Sequence, residues 1–240
     1  MTSNLQTSLN AKTRSGFATI IGAPNAGKST LMNYIVGTKV SIVTPKVQTT
    51  RSRIRGIAMA GESQIIFVDT PGIFKPKRRL DRAMVHAAWK GTDEADVTLL
   101  LHDSARTSID EETTAIIKQI TKIKCEFPNR KFVLVLNKID LIKPENLLER
   151  ASHLTQMLEF ERTFMVSAEK GKGINTLVKW LSEQMPESPF LFDPEDLSDL
   201  PQRQLAAEIL REKLFMNLHQ ELPYQLTVET DSWQEKDDGS

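Results

Sequence analysis

Residues 17–30 read FATIIGAPNAGKST: a short continuous apolar run, then glycines in the spacing G-x-x-x-x-G-K-S. LMNYIV, of helical character, follows directly. An unbroken apolar run is what a strand buried on both faces requires, so the loop is expected at the end of a parallel strand. Gly22 and Gly27 permit backbone angles that let successive N–H groups curl around a phosphate. Lys28 supplies charge to the β- and γ-phosphates of a nucleotide and Ser29 an oxygen for magnesium, while the following helix aims its positive end at the anion. The loop residues Gly22, Ala23, Pro24, Asn25, Ala26, Gly27, Lys28, Ser29 and Thr30 are therefore all candidates to line a nucleotide.

The rest of the chain fits such a sheet. Gln64 to Asp69 reads as a second buried strand. Val97 to His102, Lys131 to Asn137 and Thr163 to Ala168 continue the series. Helical patterns at Asp81 to Glu94, Asp110 to Lys122, Pro144 to Leu158 and Ile174 to Gln184 separate them. Alternating elements of these lengths predict an α/β fold, a mostly parallel sheet with helices on both faces. Ligands bind such sheets at the carboxyl ends of the strands. In RSRIRGIAMA the alternating Arg51, Arg53 and Arg55 read as an exposed strand face.

Four domain-level segments are expected: a flexible arm at 1–15, a nucleotide-binding domain at 16–186, a proline-rich acidic linker at 187–202, and the start of a second, α+β domain at 203–240. In the last, Leu205, Ile209, Leu210, Leu214 and Leu218 recur at helical spacing over Gln202 to Glu221, and PYQLTVET reads as a strand. One helix and one strand cannot bury a core alone. Lys+Arg and Asp+Glu are equal at 31 each among 240 residues, so no global field draws the chain to nucleic acid or lipid. A single cysteine, Cys125, excludes an internal disulfide and a cysteine-rich metal site, and it reads as inert. No secretory signal or membrane span is read, which makes the cytoplasm the default.

Three further motifs follow in order. Asp69, Thr70, Pro71 and Gly72 (DTPG) close a hydrophobic strand. There the aspartate would hold magnesium, usually through a water, and Gly72 can point its N–H at a γ-phosphate and swing when that phosphate leaves. Asn137, Lys138, Ile139 and Asp140 (NKID) close another strand. A carboxylate at Asp140 accepts both N1–H and the N2 amino group of guanine, a pair of donors that adenine lacks. Ser167, Ala168 and Glu169 sit where a loop over the base is needed, with a backbone N–H for the guanine carbonyl. Between the first two motifs a switch loop should bring magnesium a hydroxyl present only with GTP. Thr44, Thr49 and Thr50 are available; Thr50 is favoured, with Thr49 second.

GAPNAGKST, QTTR, DTPGI, NKID and SAEKGKGI, in this order, resemble the bacterial Era GTPases. PEDLSDLP, AAEILREKLF, QELPY and TVE resemble the junction between the Era GTPase domain and its RNA-binding KH domain. The resemblance spans about Gly16 to Glu229. It implies a Ras-like P-loop fold, GTP and GDP as ligands, magnesium as cofactor, and work in small ribosomal subunit assembly through small-subunit ribosomal RNA. It also implies association with the inner face of the cell membrane. A KH domain clamps RNA with a GxxG loop, and none occurs after Glu221, so RNA clamping by that loop is not expected of this stretch.

Hydrolysis is expected to be slow. Where Ras-type enzymes place a water-orienting glutamine after DxxG, this chain has Ile73, and the Pro24 ring would crowd an arginine finger. Lys28, Thr50, Gly72 and Asn25 are the candidates for the catalytic step. Similar GTPases with asparagine at the Asn25 position bind potassium between the phosphates; an ordinary loop asparagine is the equal alternative. Lys75 to Arg79 (KPKRR) reads as a solvated loop, and His86 and His102 as structural. Two other functions compete: a non-catalytic nucleotide-holding module, and a GTPase of tRNA modification or membrane transport.

Overall fold

The computed structural model describes residues 13–43, 54–70, 72–73, 79–218 and 226–232. Its sheet contains β1 (Arg14–Ile21), β2 (Ile54–Ala60), β3 (Ser63–Asp69), β4 (Val97–Asp103), β5 (Lys131–Asn137) and β6 (Thr163–Met165), in the order β2-β3-β1-β4-β5-β6. Only β2 runs antiparallel, hairpinned to β3 with Ala60 opposite Ser63; the other pairs are parallel. β3 and β4 flank β1 on opposite sides, so the chain leaves the two sides of β1 in opposite directions. The crevice at its carboxyl end is the topological switch point where such sheets bind ligands.

Among the described residues the α-helices are α1 (Lys28–Val36), α2 (Arg79–Asp93), α3 (Glu111–Glu126), α4 (Pro144–Met157), α5 (Ile174–Gln184) and α6 (Gln202–Asn217). The continuous apolar runs read in the sequence are explained by the two cores. Val133 and Val135 face the core shared with α1 and α5, and Phe132, Leu134 and Leu136 the one shared with α3 and α4. Alternate residues of one strand thus meet different helices, and neither face tolerates a polar residue. Local chemistry sets the helix starts. Asp110 caps α3 by accepting from Thr113 N at 2.6 Å, with Glu111 and Glu112 in the first turn. Pro144 opens α4 where its missing N–H costs nothing.

Beyond β6, which ends at Met165 rather than Ala168, four departures from the expected organisation stand out. β1 begins at Arg14, so residues 14–15 lie in the sheet rather than in an arm. Residues 1–12 are outside the described set. The stretch expected as a linker is bonded along the edge of β2: Ile57 N donates to Leu197 O at 3.0 Å, and Arg55 N to Asp199 Oδ1 at 3.0 Å. Buried Gln64 fastens the same stretch, its Oε1 accepting from Leu191 N at 2.8 Å and Phe192 N at 3.0 Å. An edge strand left open would expose unpaired backbone groups, and this strap covers them. α6 ends at Asn217, and residues 226–230 are not a strand; 219–225 lie outside the described residues.

The fourth departure is the face that α6 buries. Ile209 and Leu210 are exposed, whereas Arg211, Glu212 and Phe215 are buried. Glu212 accepts from Val43 N at 3.0 Å and pairs with Lys39 Nζ. The surface beneath this part of α6 presents a backbone N–H and an ammonium group, so the buried position there takes a carboxylate. Among the described residues no helix is long and apolar enough to cross a membrane.

Candidate functional site

The loop between β1 and α1 shows how a chain arranges its amides to face an anion. Its carbonyl groups are engaged from behind. Gly22 O accepts from Lys28 Nζ at 3.1 Å and from Ile73 N at 3.0 Å. Ala23 O accepts from Lys28 Nζ at 2.9 Å, Pro24 O from Arg106 Nη2 at 3.1 Å, and Ala26 O from Asn137 Nδ2 at 2.8 Å. With its oxygens tied down this way, the loop can present N–H groups to phosphate. Asn25 (φ 63°) and Gly27 (φ 99°) both adopt left-handed backbone conformations to make the turn. Gly27 is also the N-cap of α1 and has no side chain to occupy the first amides, which suits an anion-binding helix end. Burial pushes the Lys28 ammonium down to about 8, against the pull of Asp69. A bound phosphate would supply the countercharge that this buried lysine lacks.

Beside the loop, Ser29 Oγ lies 2.9 Å from Asp69 Oδ2, and both residues are buried. Ser41 Oγ donates to the same carboxylate oxygen at 2.5 Å. Ser41 is fixed in turn by Asn33, whose Oδ1 accepts from Val40 N and Ser41 N and whose Nδ2 donates to Ser41 O. Hydroxyl and carboxylate oxygens are hard donors. One carboxylate with hydroxyls suits magnesium, which keeps water and phosphate oxygens for most of its shell. Among the described residues no group of three His, Cys, Asp or Glu forms a metal cluster of another kind. Sequence reasoning missed Ser41; its signal was a hydroxyl just before the loop where only threonines were weighed. Thr44, Thr49, Thr50, Pro71 and Lys75 to Arg78 lie outside the described residues.

Gly72 approaches Lys28 and the Pro24 backbone so closely that an added Cβ would stand 3.1 Å from Pro24 Cα and 3.3 Å from Lys28 Nζ. Ile73 is buried in the core, which accounts for an apolar residue there. Thr70, counted among the nucleotide-lining residues, donates its hydroxyl to Ile20 O at 2.7 Å and serves as a strut between β3 and β1.

Asn137 joins this phosphate-facing half to the opposite half. Its Nδ2 reaches Ala26 O, and its Oδ1 accepts from Ala168 N at 2.9 Å. Lys138, left-handed at φ 63°, pairs with Asp103 Oδ2 at 2.7 Å, and Ile139 N donates to Val166 O. Asp140 stands exposed at the mouth of a small cleft lined by Thr30, Lys138, Ser167, Ala168 and Glu169. A hydrogen bond from the Ser167 hydroxyl holds the Asp140 carboxyl below the usual carboxylate range. An ionised carboxylate there can accept two neighbouring donors. Glu169 is exposed and its carboxylate lies 3.9 Å from Lys170 Nζ. Tyr34 of α1 packs on Gly171, where no side chain would fit, bracing the same turn.

His102 is fully buried at the end of β4, its Nδ1 3.4 Å from Thr113 Oγ1, and desolvation lowers its pKa to about 4. It is neutral and structural, as its sequence context suggested. Because its folded pKa lies below the unfolded value near 6.5, the unfolded chain takes up the proton first as pH falls, and stability drops between about 6.5 and 4. Between pH 7 and pH 5 this group should remove about 2 kcal/mol. Urea unfolding of the parent and of His102→Leu should show that much less pH dependence in the variant; parallel curves would contradict it.

A mostly parallel sheet whose switch point carries a glycine-rich loop with its carbonyls tied back, a buried serine–aspartate pair and a separate exposed carboxylate has the architecture of a P-loop guanine-nucleotide-binding protein. The family model of the 50S ribosome-binding GTPases matches residues 17–138. GTPase Era of Brucella suis is 53% identical over 229 residues, covering 95% of this chain and 72% of the relative. GTPase Era of Rhizobium meliloti is 54% identical over 228 residues, covering 95% and 71%. Among solved structures, Era in complex with MgGDPNP and nucleotides 1506–1542 of 16S ribosomal RNA superposes with a TM-score of 0.85 at 37% identity, covering 95% of this chain and 75% of that one. An Aquifex aeolicus Era variant bound to GDP.AlF4- gives 0.83 at 36%, covering 94% and 75%. The chain belongs to the Era family of GTPases; it binds GTP and hydrolyses it.

Proposed function

We propose that the chain is a slow, magnesium-dependent GTP switch acting in small ribosomal subunit assembly, with the residues above in the following roles. Residues 22–30 surround the phosphates, with Lys28 neutralising the β- and γ-groups. Ser29 and Thr50 hold magnesium directly and Asp69 holds it through a water; the ion would shield charge that builds on the phosphates. Gly72 senses the γ-phosphate, and Asp140 reads guanine beneath Ser167, Ala168 and Glu169. The observation that carries this reading is Asn137, which ties the phosphate loop to the base loop through both ends of one buried amide. A rigid span between two recognition points suits a ligand carrying both a base and phosphates.

Residues 203–240 are the opening of a KH domain, and contact with small-subunit ribosomal RNA would come through that domain. Support comes from the related Era solved with MgGDPNP and 16S ribosomal RNA. The protein works in the cytoplasm and at the inner face of the cell membrane. Potassium, held by Asn25, supplies charge that Ile73 cannot. GTP turnover measured at equal ionic strength should be about tenfold faster in potassium than in sodium. Equal rates would remove the potassium step, and no retention on filters of an RNA spanning nucleotides 1506–1542 of 16S ribosomal RNA would remove RNA binding from this chain.

A further inference from the structure

Arg106 appeared in none of the motifs, yet it is the side chain that reaches the phosphate loop from β4. It lies three residues beyond Asp103, the end of that strand, and is two-thirds covered. Its guanidinium is divided between two tasks. Nη2 donates to Pro24 O at 3.1 Å, and Nη1 donates to Asp110 Oδ2 at 2.7 Å. Nε lies 3.9 Å from Asp103 Oδ2, and Arg150 Nη1 donates to the Arg106 carbonyl from α4. Asp103 also holds Lys138, so one acidic residue faces both Arg106 and the base-side lysine.

The target of the fork matters. Pro24 has no N–H, so its carbonyl is the sole backbone polar group by which this residue can be held. The next residue, Asn25, is left-handed without being glycine, a conformation that costs energy and needs support from its surroundings. Gly72 also lies close against the Pro24 backbone, where an added Cβ would stand 3.1 Å from Pro24 Cα and 3.2 Å from Pro24 N. The Pro24 backbone is therefore met at its N and Cα by Gly72 and at its carbonyl by a charged fork anchored at the capped start of α3.

We propose that Arg106 is a positioning residue for GTP hydrolysis: through Pro24 it fixes the Asn25 peptide in the orientation the transition state requires. This rests on the reading that residues 22–30 surround the phosphates. Ground-state binding has other holds, in Lys28, the α1 amides and Asp140, so loss of the fork falls mainly on the chemical step. The planar guanidinium fixes the directions of both bonds, which an ammonium on a flexible stem holds less rigidly.

The test compares Arg106→Gln, Arg106→Lys and Asp110→Asn with the parent. kcat and KM for GTP are measured, together with affinities for GDP alone and for GDP with aluminium fluoride. Arg106→Gln should lose about tenfold to a hundredfold in kcat, with KM and GDP affinity within about threefold, and should bind the aluminium fluoride complex about tenfold more weakly. Arg106→Lys should fall between Gln and the parent. Asp110→Asn keeps an N-cap acceptor and removes the carboxylate that anchors Arg106 Nη1, so it should show the same pattern at smaller size. A parent-like kcat in Arg106→Gln, or equal weakening of GDP and the aluminium fluoride complex, overturns the proposal. Should Arg106→Gln fail to fold, parent-like kinetics in Asp110→Asn overturn it instead. Lys28→Ala, measured alongside, separates the two readings: if it binds GDP as tightly as the parent, the reading of residues 22–30 fails, and not the role of Arg106 alone.

Discussion

Asp140→Ala is expected to lower GTP affinity by about a thousandfold to ten-thousandfold while leaving ATP binding, already weak, almost unchanged. In the proposed binding mode guanine brings N1–H and an exocyclic amino group to the cleft, and a carboxylate at Asp140 would satisfy both. Alanine satisfies neither, and the donors lose their water on binding with nothing in return. The folded state prepares this contact. The Ser167 hydroxyl holds the Asp140 carboxyl ionised, and Lys170 N donates to Ser167 Oγ at 3.2 Å, so the orienting hydroxyl is itself oriented. Because Asp140 is exposed before ligand arrives, its replacement should leave unfolding midpoints unchanged, which separates lost recognition from lost folding. Asp140→Asn should shift preference toward xanthine nucleotides: xanthine has a carbonyl where guanine has the amino group, and the asparagine amide can donate to it. Equilibrium titrations with GTP, ATP and XTP check both variants. A GTP-to-ATP preference that survives Asp140→Ala would place base recognition elsewhere.

The parts of this site that could be read from the chain are those where backbone geometry dictates residue type. Gly22, Gly27 and Gly72 are needed by close approach, Lys28 and Asp69 by charge, and Asn137 and Asp140 by donor pattern; all recur at fixed places after buried strands. The parallel sheet was legible for a related reason, since strands such as KFVLVLN are covered on both faces and show it as unbroken apolar runs. Residues that brace the site from a distance were not legible. Asn33, Ser41, Tyr34 and Arg106 are ordinary surface-compatible types, and their partners are fixed by how elements pack. The same holds for Gln64, which looks like one more polar residue at a strand start until the strap at Leu191 and Phe192 folds over it. α6 misled for a different reason. Its leucines and isoleucines recur at helical spacing, but its docking surface presents Val43 N and Lys39, so Glu212 is buried while Leu210 is exposed. β6 is shorter than its apolar run because the chain turns at Ser167, whose N–H donates to Lys172 O, to form the base loop.

Gly27→Ala tests whether the two halves of the site depend on one another. Gly27 sits at φ 99°, where an L side chain is strained whatever space surrounds it. A Cβ there would also press directly into Asn137 Nδ2. Asn137 cannot retreat without loss, because it is buried and held at both ends, at Ala26 O and at Ala168 N. Displacing it breaks the bond to the phosphate loop and the bond to the base loop together. The strain and the broken buried bonds together cost about 3–6 kcal/mol. The expected result is a large fall in thermal stability and loss of both GDP and GTP binding by more than about a hundredfold. It should differ in kind from Asp140→Ala, which removes base recognition from a folded site. Asn137→Ala in the Gly27→Ala background discriminates further. It removes the clash but not the left-handed strain, so it should recover part of the melting temperature and none of the nucleotide affinity. If the double variant instead bound GDP as well as the parent, the Asn137 bridge would be dispensable and the two halves would be positioned independently.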